Sequence, residues 1–181
     1  MKSRQKKIND IVEKNKKDTL KDWIDALIEA FVILLLLFVF AWPVKIEGSS
    51  MNNTFEDGNR VFISHITGWF DLYGKGDIVV FKQEEEGQDV VMIKRIIAEG
   101  GDTISIHDDV VAVNGKVIEE DYVLGQTVDN IDITVEEGSF FVMGDNRERS
   151  FDSRDYGTIE KNKIQGKVFF RWYPFNKLKL Y

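Results

Sequence analysis

The chain has 181 residues, 43% of them hydrophobic, and a formal net charge of −7, which suffices for one membrane segment and one domain with its own core. It holds no cysteine and only two histidines, His65 and His107. Disulfides, thiolate metal sites, thiol nucleophiles and histidine-rich metal centres are therefore excluded, and neither cofactor nor metal is expected. Any chemistry must rest on Ser, Lys, Asp, Glu or Arg.

In chain order, residues 1–22 read as a basic tail on the cytoplasmic side. Met1 to Lys21 carries eight basic residues against Asp10, Glu13 and Asp18, while the remainder is acidic, so nucleic acid is not an expected partner. Residues 23–44 are expected to form a single transmembrane anchor in the lipid bilayer. Ala30 to Trp42 (AFVILLLLFVFAW) has no charge, Pro43 marks the helix end, and about twenty residues match the span of a bilayer. Asp25 and Glu29, one turn apart at its start, can reach headgroups or pair with Lys21. A cleaved signal peptide and a buried helix of a soluble protein are the alternatives. Against the first, Pro43 to Glu47 lacks a small-x-small cleavage site. Against the second, the Leu/Phe-rich surface runs all round the helix. The excess of Lys and Arg before the segment puts residues 45–181 outside the cytoplasm.

Residues 45–181 read as one all-β domain. Arg60 to Ser64, Gly76 to Lys82, Val90 to Ile97, Asp102 to Ile106, Val110 to Val113, Lys116 to Ile118, Ser139 to Met143 and Lys167 to Arg171 are short, β-branched and punctuated by Gly and Asp. About nine strands with no helix between them are expected. Asn114-Gly115 signals a type I′ hairpin. Glu84-Glu85-Glu86 is expected as a solvated turn between two strands. Trp69-Phe70 and Phe169 to Tyr173 suit either a membrane interface or core packing.

Three polar clusters carry the candidate chemistry. Gly48-Ser49-Ser50-Met51 follows the apolar segment by a few residues, so a hydroxyl here acts at the membrane boundary; alone, such a cluster reads as turn residues. Alternation in Val90 to Ile97 puts Lys94 on one face with Val90, Met92 and Ile96, and Arg95 on the other. Burial among apolar neighbours disfavours an ammonium and lets a lysine serve as a base, whereas a lysine near a strand end can equally extend its head to water. Gly144 to Gly157 (GDNRERSFDSRDYG) is a dense loop whose charges can pair and satisfy its backbone, and which can hold Ser150 or Ser153 against a neighbour. Arg147 stands where a calcium loop needs an oxygen ligand, so that motif fails.

Together, the anchor, Gly-x-Ser-Met, Lys-Arg at the end of an apolar strand and Gly-Asp-Asn-Arg-x-x-Ser-x-Asp-Ser-Arg resemble type I signal peptidase, a membrane-anchored Ser-Lys protease, from the anchor to Phe170. The resemblance implies an all-β catalytic domain of that type, with Ser50 as nucleophile and Lys94 as general base. It implies that Ser150 orients the lysine amine, and that Asp145, Asn146, Arg147, Asp152 and Arg154 form a structural loop. The substrates implied are preproteins bearing signal peptides, with small residues at −1 and −3. Two positions depart from the family: Asn53 replaces its usual proline, and Gly48 lacks the hydroxyl that some members offer to the oxyanion. A self-cleaving repressor would share the dyad but would need a DNA-binding module in place of the anchor. A non-catalytic, membrane-anchored β binding module would have no need of a buried Lys94.

Overall fold

The computed structural model describes residues 18–35, 40–70, 72–85 and 87–181. The chain divides into two units, Met1–Val39 and Phe40–Tyr181. In the first, residues 18–35 form helix α1, exposed throughout; its Leu, Ile, Ala and Glu content favours a helix. Trp23, Leu27, Phe31 and Leu34 are each at least 64% exposed, a large uncovered apolar surface. Among the described residues no helix is long and apolar enough to cross a membrane. Residues 1–17 of the expected tail and 36–39 of the expected anchor lie outside the described residues.

The second unit is built from antiparallel strands. These are β1 (Trp42–Lys45), β2 (Arg60–Ser64), β3 (Ile78–Glu85), β4 (Gln88–Glu99), β5 (Thr103–His107) and β6 (Val110–Val113), followed by β7 (Lys116–Val117), β8 (Ile131–Thr134), β9 (Ser139–Met143), β10 (Ile159–Glu160), β11 (Ile164–Tyr173) and β12 (Lys179–Leu180). The larger sheet runs β1-β2-β11-β3-β4-β9-β10, with β12 on β11; the smaller runs β7-β6-β5-β8. The expected all-β domain is thus found, with more strands than the sequence suggested. Asn114 and Gly115 both adopt positive φ, 53° and 73°, as a type I′ turn requires. Asp108 and Asp109, at 49° and 67°, make the same kind of turn between β5 and β6, which the sequence reading did not single out.

Some boundaries differ from expectation. Trp42 to Val44, assigned from sequence to the last turn of the anchor, lie in β1 and pair with Ile63 to Val61 of β2. Pro43 cannot continue a helix, and at a sheet edge its missing N–H costs nothing. Glu84 and Glu85 extend β3 and pair with Asp89 and Gln88, because a hairpin ladder runs on until its turn, here at Gly87 with φ 78°. Two one-turn helices, α2 (Ile66–Trp69) and α3 (Ser153–Tyr156), interrupt the strands. The second forms because Asp152 and Asp155 make a reciprocal capping box.

The strands enclose three groups of buried side chains. One packs Met51, Phe55, Ile63, Val80, Ile93 and Val168 together, so the segment after Ser50 is held by core burial. Phe55 and Met51 are at most 1% exposed, and each such side chain contributes about 1.5–3 kcal/mol when removed from water. Phe62 stacks near Phe169 and Phe170 at ring separations of 6.3 and 6.5 Å, whereas Trp69 and Phe70 are exposed.

Candidate active site

Ser50 sits in a tight turn between β1 and the buried Met51. Gly48 enters it at φ 86°, in the left-handed region that favours glycine, and its amide donates to Asp57 Oδ1 at 2.9 Å. The Asn52 amide donates to Ser49 O at 3.1 Å and the Phe55 amide to Met51 O at 2.7 Å. Local backbone bonds and the Met51 anchor thus fix where the Ser50 hydroxyl stands.

Lys94 arrives from the middle of the larger sheet. It pairs with Val79 of β3 and is 4% exposed. Its Nζ donates to Ser50 Oγ at 3.0 Å. The alternation expected from sequence holds here: Met92 and Ile96 pack in one apolar group and Ile93 in another, with Lys94 between them in the chain. Period two therefore sends Lys94 and Arg95 to opposite sides.

Arg95 reaches Asp145, with Nε to Oδ1 at 2.9 Å and Nη2 to Oδ2 at 2.6 Å. This bidentate, buried pair receives a further bond from Thr54 Oγ1 to Asp145 Oδ2, so the turn after Ser50 and the strand of Lys94 share one carboxylate. Burial works against the Arg95 charge, but the hydrogen bonds and charge of Asp145 outweigh it and hold the guanidinium above its ordinary pKa. The guanidinium also lies 3.8 Å from the centroid of the Tyr122 ring. Burial, then the bond to Glu120, pushes the Tyr122 phenol well up, so it stays neutral.

The loop after β9 closes on Ser50 directly. The Asn146 amide donates to Ser50 O at 2.9 Å and its Nδ2 to Ser49 O at 3.0 Å. Asp152 Oδ2 accepts from the Gly144 amide at 2.9 Å, and Asp152 is bound by Arg154 Nε at 2.8 Å. Arg154 continues to Asp129 at 2.9 Å and to the Arg147 carbonyl at 2.7 Å. Arg147 bonds Glu120 at 3.0 Å and Thr127 at 2.9 Å. A Cβ on Gly144 would fall 2.2 Å from Ser150 Oγ and 2.5 Å from Ser50 O; only glycine allows so close an approach. Ser150 Oγ is buried and bonds no described residue. Of the residues singled out from sequence, Lys94 and Asn146 bond Ser50 directly, and Asp145 ties the strand of Lys94 to the turn after Ser50. Arg147, Asp152 and Arg154 brace the loop itself, and the Ser150 side chain bonds no described residue. Sequence reasoning missed Thr54, Glu120, Tyr122 and Asp129 as partners of these charges. Each is an ordinary residue of an irregular segment, with no local pattern to mark it.

Ser50 and Lys94 open into a cleft of about 390 Å³, walled by Val44 to Ser49, by Val91 to Ile93 and by Arg149 and Phe151. A wider cleft of about 950 Å³ beside Trp69, Tyr73 and Glu160 contains neither residue. A hydroxyl bonded to a buried amine, beside a cleft lined by both apolar and charged side chains, is suited to acyl transfer.

Residues 20–173 match the family described as "Signal peptidase, peptidase S26". The chain is 37% identical over 178 residues to signal peptidase I of Bacillus licheniformis, covering 91% of this chain and 95% of that protein. It is 35% identical over 180 residues to signal peptidase I S of Bacillus subtilis, with the same coverages. A solved signal peptidase I structure from Enterococcus faecalis is 33% identical and covers 52% of this chain and 95% of that one, at a TM-score of 0.44.

Proposed function

The chain belongs to the signal peptidase family, peptidase S26, and from that premise we propose that it removes N-terminal signal peptides from exported proteins by a Ser50–Lys94 dyad. The observation that carries this reading is the 3.0 Å bond between Lys94 Nζ and Ser50 Oγ, with Lys94 only 4% exposed. In its neutral form Lys94 takes the Ser50 proton, and the hydroxyl oxygen attacks the scissile carbonyl. The tetrahedral oxyanion is held by the Ser50 amide, and the amine of the mature chain leaves after protonation by Lys94. Water then hydrolyses the acyl-enzyme with Lys94 again as base. Ser150 is assigned the positioning of the Lys94 amine, and Asp145, Asn146, Arg147, Asp152 and Arg154 the support of the Ser50 and Ser150 backbones.

We assign residues 1–22 to a cytoplasmic tail and the segment from residue 23 to a transmembrane anchor, with the protease domain, from residue 45 onward, outside the cytoplasm. The exposed apolar surface of α1 and the basic residues before it support this arrangement. An anchored enzyme meets a substrate anchored at the same depth. A non-catalytic binding module leaves the buried Lys94–Ser50 contact without a purpose. The deciding assay incubates the purified full-length protein, in detergent or vesicles, with a peptide carrying one small-x-small site, and maps the product by mass. Cleavage after that site, absent in Ser50→Ala, is expected; an uncut peptide overturns the proposal.

A further inference from the structure

The catalytic cleft carries one charge that neither the dyad nor the fold uses. Lys94 is engaged with Ser50, and Lys45 pairs with Glu47 at 2.9 Å, so these groups are accounted for. Arg149 also lines the cleft and is exposed, and its guanidinium makes no hydrogen bond or ion pair with any described residue. Glu148, its neighbour in sequence, is not part of the cleft wall, and accepts from the Gln126 amide at 3.2 Å. It leaves the Arg149 charge unbalanced at the cleft.

The backbone of Arg149 is tied to the nucleophile. Its amide donates to Asn146 O at 3.1 Å, and the Asn146 amide donates to Ser50 O at 2.9 Å. Two hydrogen bonds therefore separate the Arg149 backbone from that of Ser50, within a loop held by buried ion pairs. A cation so placed faces whatever chain lies across Ser50, and its planar fork of donors suits a carboxylate.

Building on the signal-peptide reading, we propose that Arg149 is a specificity-determining residue that favours substrates with an acidic side chain close to the scissile bond and disfavours basic ones there. An apolar wall selects by fit, whereas a single exposed charge selects by sign, with modest strength that falls as salt rises.

The test is a peptide set built on one cleavable parent, uncharged around the bond, with Glu or Lys placed in turn at −2, +1, +2 and +3. The readout is the ratio of kcat/KM for Glu over Lys at each position, taken within each enzyme so that any general loss of activity cancels. For the unmodified enzyme a ratio of about three to ten is expected in at least one position at low salt, shrinking in high salt. Arg149→Gln should bring that ratio close to one, and Arg149→Glu should invert it. Equal ratios in the unmodified and Arg149→Glu enzymes at all four positions would overturn the inference while leaving the proteolytic function standing. Failure of the unmodified enzyme to cut the uncharged parent would remove both.

Discussion

Lys94 Nζ and Ser50 Oγ meet at 3.0 Å from positions 44 residues apart, one side chain carried by the middle of a buried strand and the other by a turn pinned through Met51. The amine can reach the hydroxyl only if β4 and the Ser50 turn are packed in register, so activity reports on the whole core around them. Ser50→Ala and Lys94→Arg are each expected to lose at least about a hundredfold in kcat. Arg keeps length and charge but does not give up its proton, so it cannot act as the base. Circular dichroism should show both variants folded, and a Lys94→Arg enzyme at near-normal rate would count against the dyad.

Asp145 is expected to matter for folding ahead of chemistry. Its side chain is 1% exposed and that of Arg95 10%, and removal of one partner leaves a buried charge. Asp145→Ala should cost about 3–5 kcal/mol in urea unfolding. A paired replacement of Arg95 and Asp145 by apolar residues should cost less than Asp145→Ala alone, and a double-mutant cycle measures the difference.

Asp102 supplies a stability term with a defined pH sign. Burial raises its pKa, but the Glu99 amide at 3.0 Å, Asn114 at 2.6 Å and Lys75 at 3.1 Å outweigh that and hold the carboxyl below its ordinary 3.8. A depressed folded value means that the stabilisation is complete above the unfolded pKa and disappears as pH falls through the folded one. Wild type should therefore exceed Asp102→Asn in urea midpoint by a constant margin at pH 7 and pH 5. The margin should narrow at pH 3 and below; one that widens there would contradict the assignment.

Asn53 stands where the resemblance to the family implies proline, and in this structure its amide donates no backbone hydrogen bond to a described residue. Its φ is not positive, and its side chain reaches Tyr122 O at 3.5 Å, at the limit of a bond. Asn53→Pro should keep cleavage of a small-x-small peptide and raise stability by at most about 1 kcal/mol, through the unfolded chain. Thermal melts and rates measured together decide; loss of cleavage in a folded variant would mean that the cleft differs from the family's.

The membrane arrangement has its own check. Protease added to cells stripped of their wall should remove epitopes placed after residue 45 and spare an epitope at the N-terminus. Accessibility of the N-terminus alone would reverse the orientation.

Much of the domain was legible because its signals are local. The Asn114-Gly115 turn, the β-branched and aromatic runs of β2, β6 and β9, and the alternation that separates Lys94 from Arg95 all depend on neighbours within a few residues. The loop from Gly144 to Gly157 was legible by its charge density and its likeness to a family motif. The strand Trp42–Lys45 was not, since an apolar run ending in Pro43 has the same composition whether it completes a helix or begins a sheet; only the partner strand β2 decides. The short strands β8, β10 and β12 were missed for the same reason: two to four residues of mixed polarity become strands only when a ladder is offered to them.

The sequence by itself determined which residue types could do chemistry here, and the side of β4 on which Lys94 lies. It determined too that an apolar segment precedes Ser50. The tertiary structure alone decided that Lys94 points at Ser50 and that Arg95 and Thr54 converge on Asp145, 50 and 91 residues away. It alone placed Arg149 on the same cleft as Ser50 and Lys94, with no partner for its guanidinium among the described residues. Periodicity assigns a side chain to a face but names no partner, and contacts over such separations form only when the entropy of closing long loops is met by burial of the core between them.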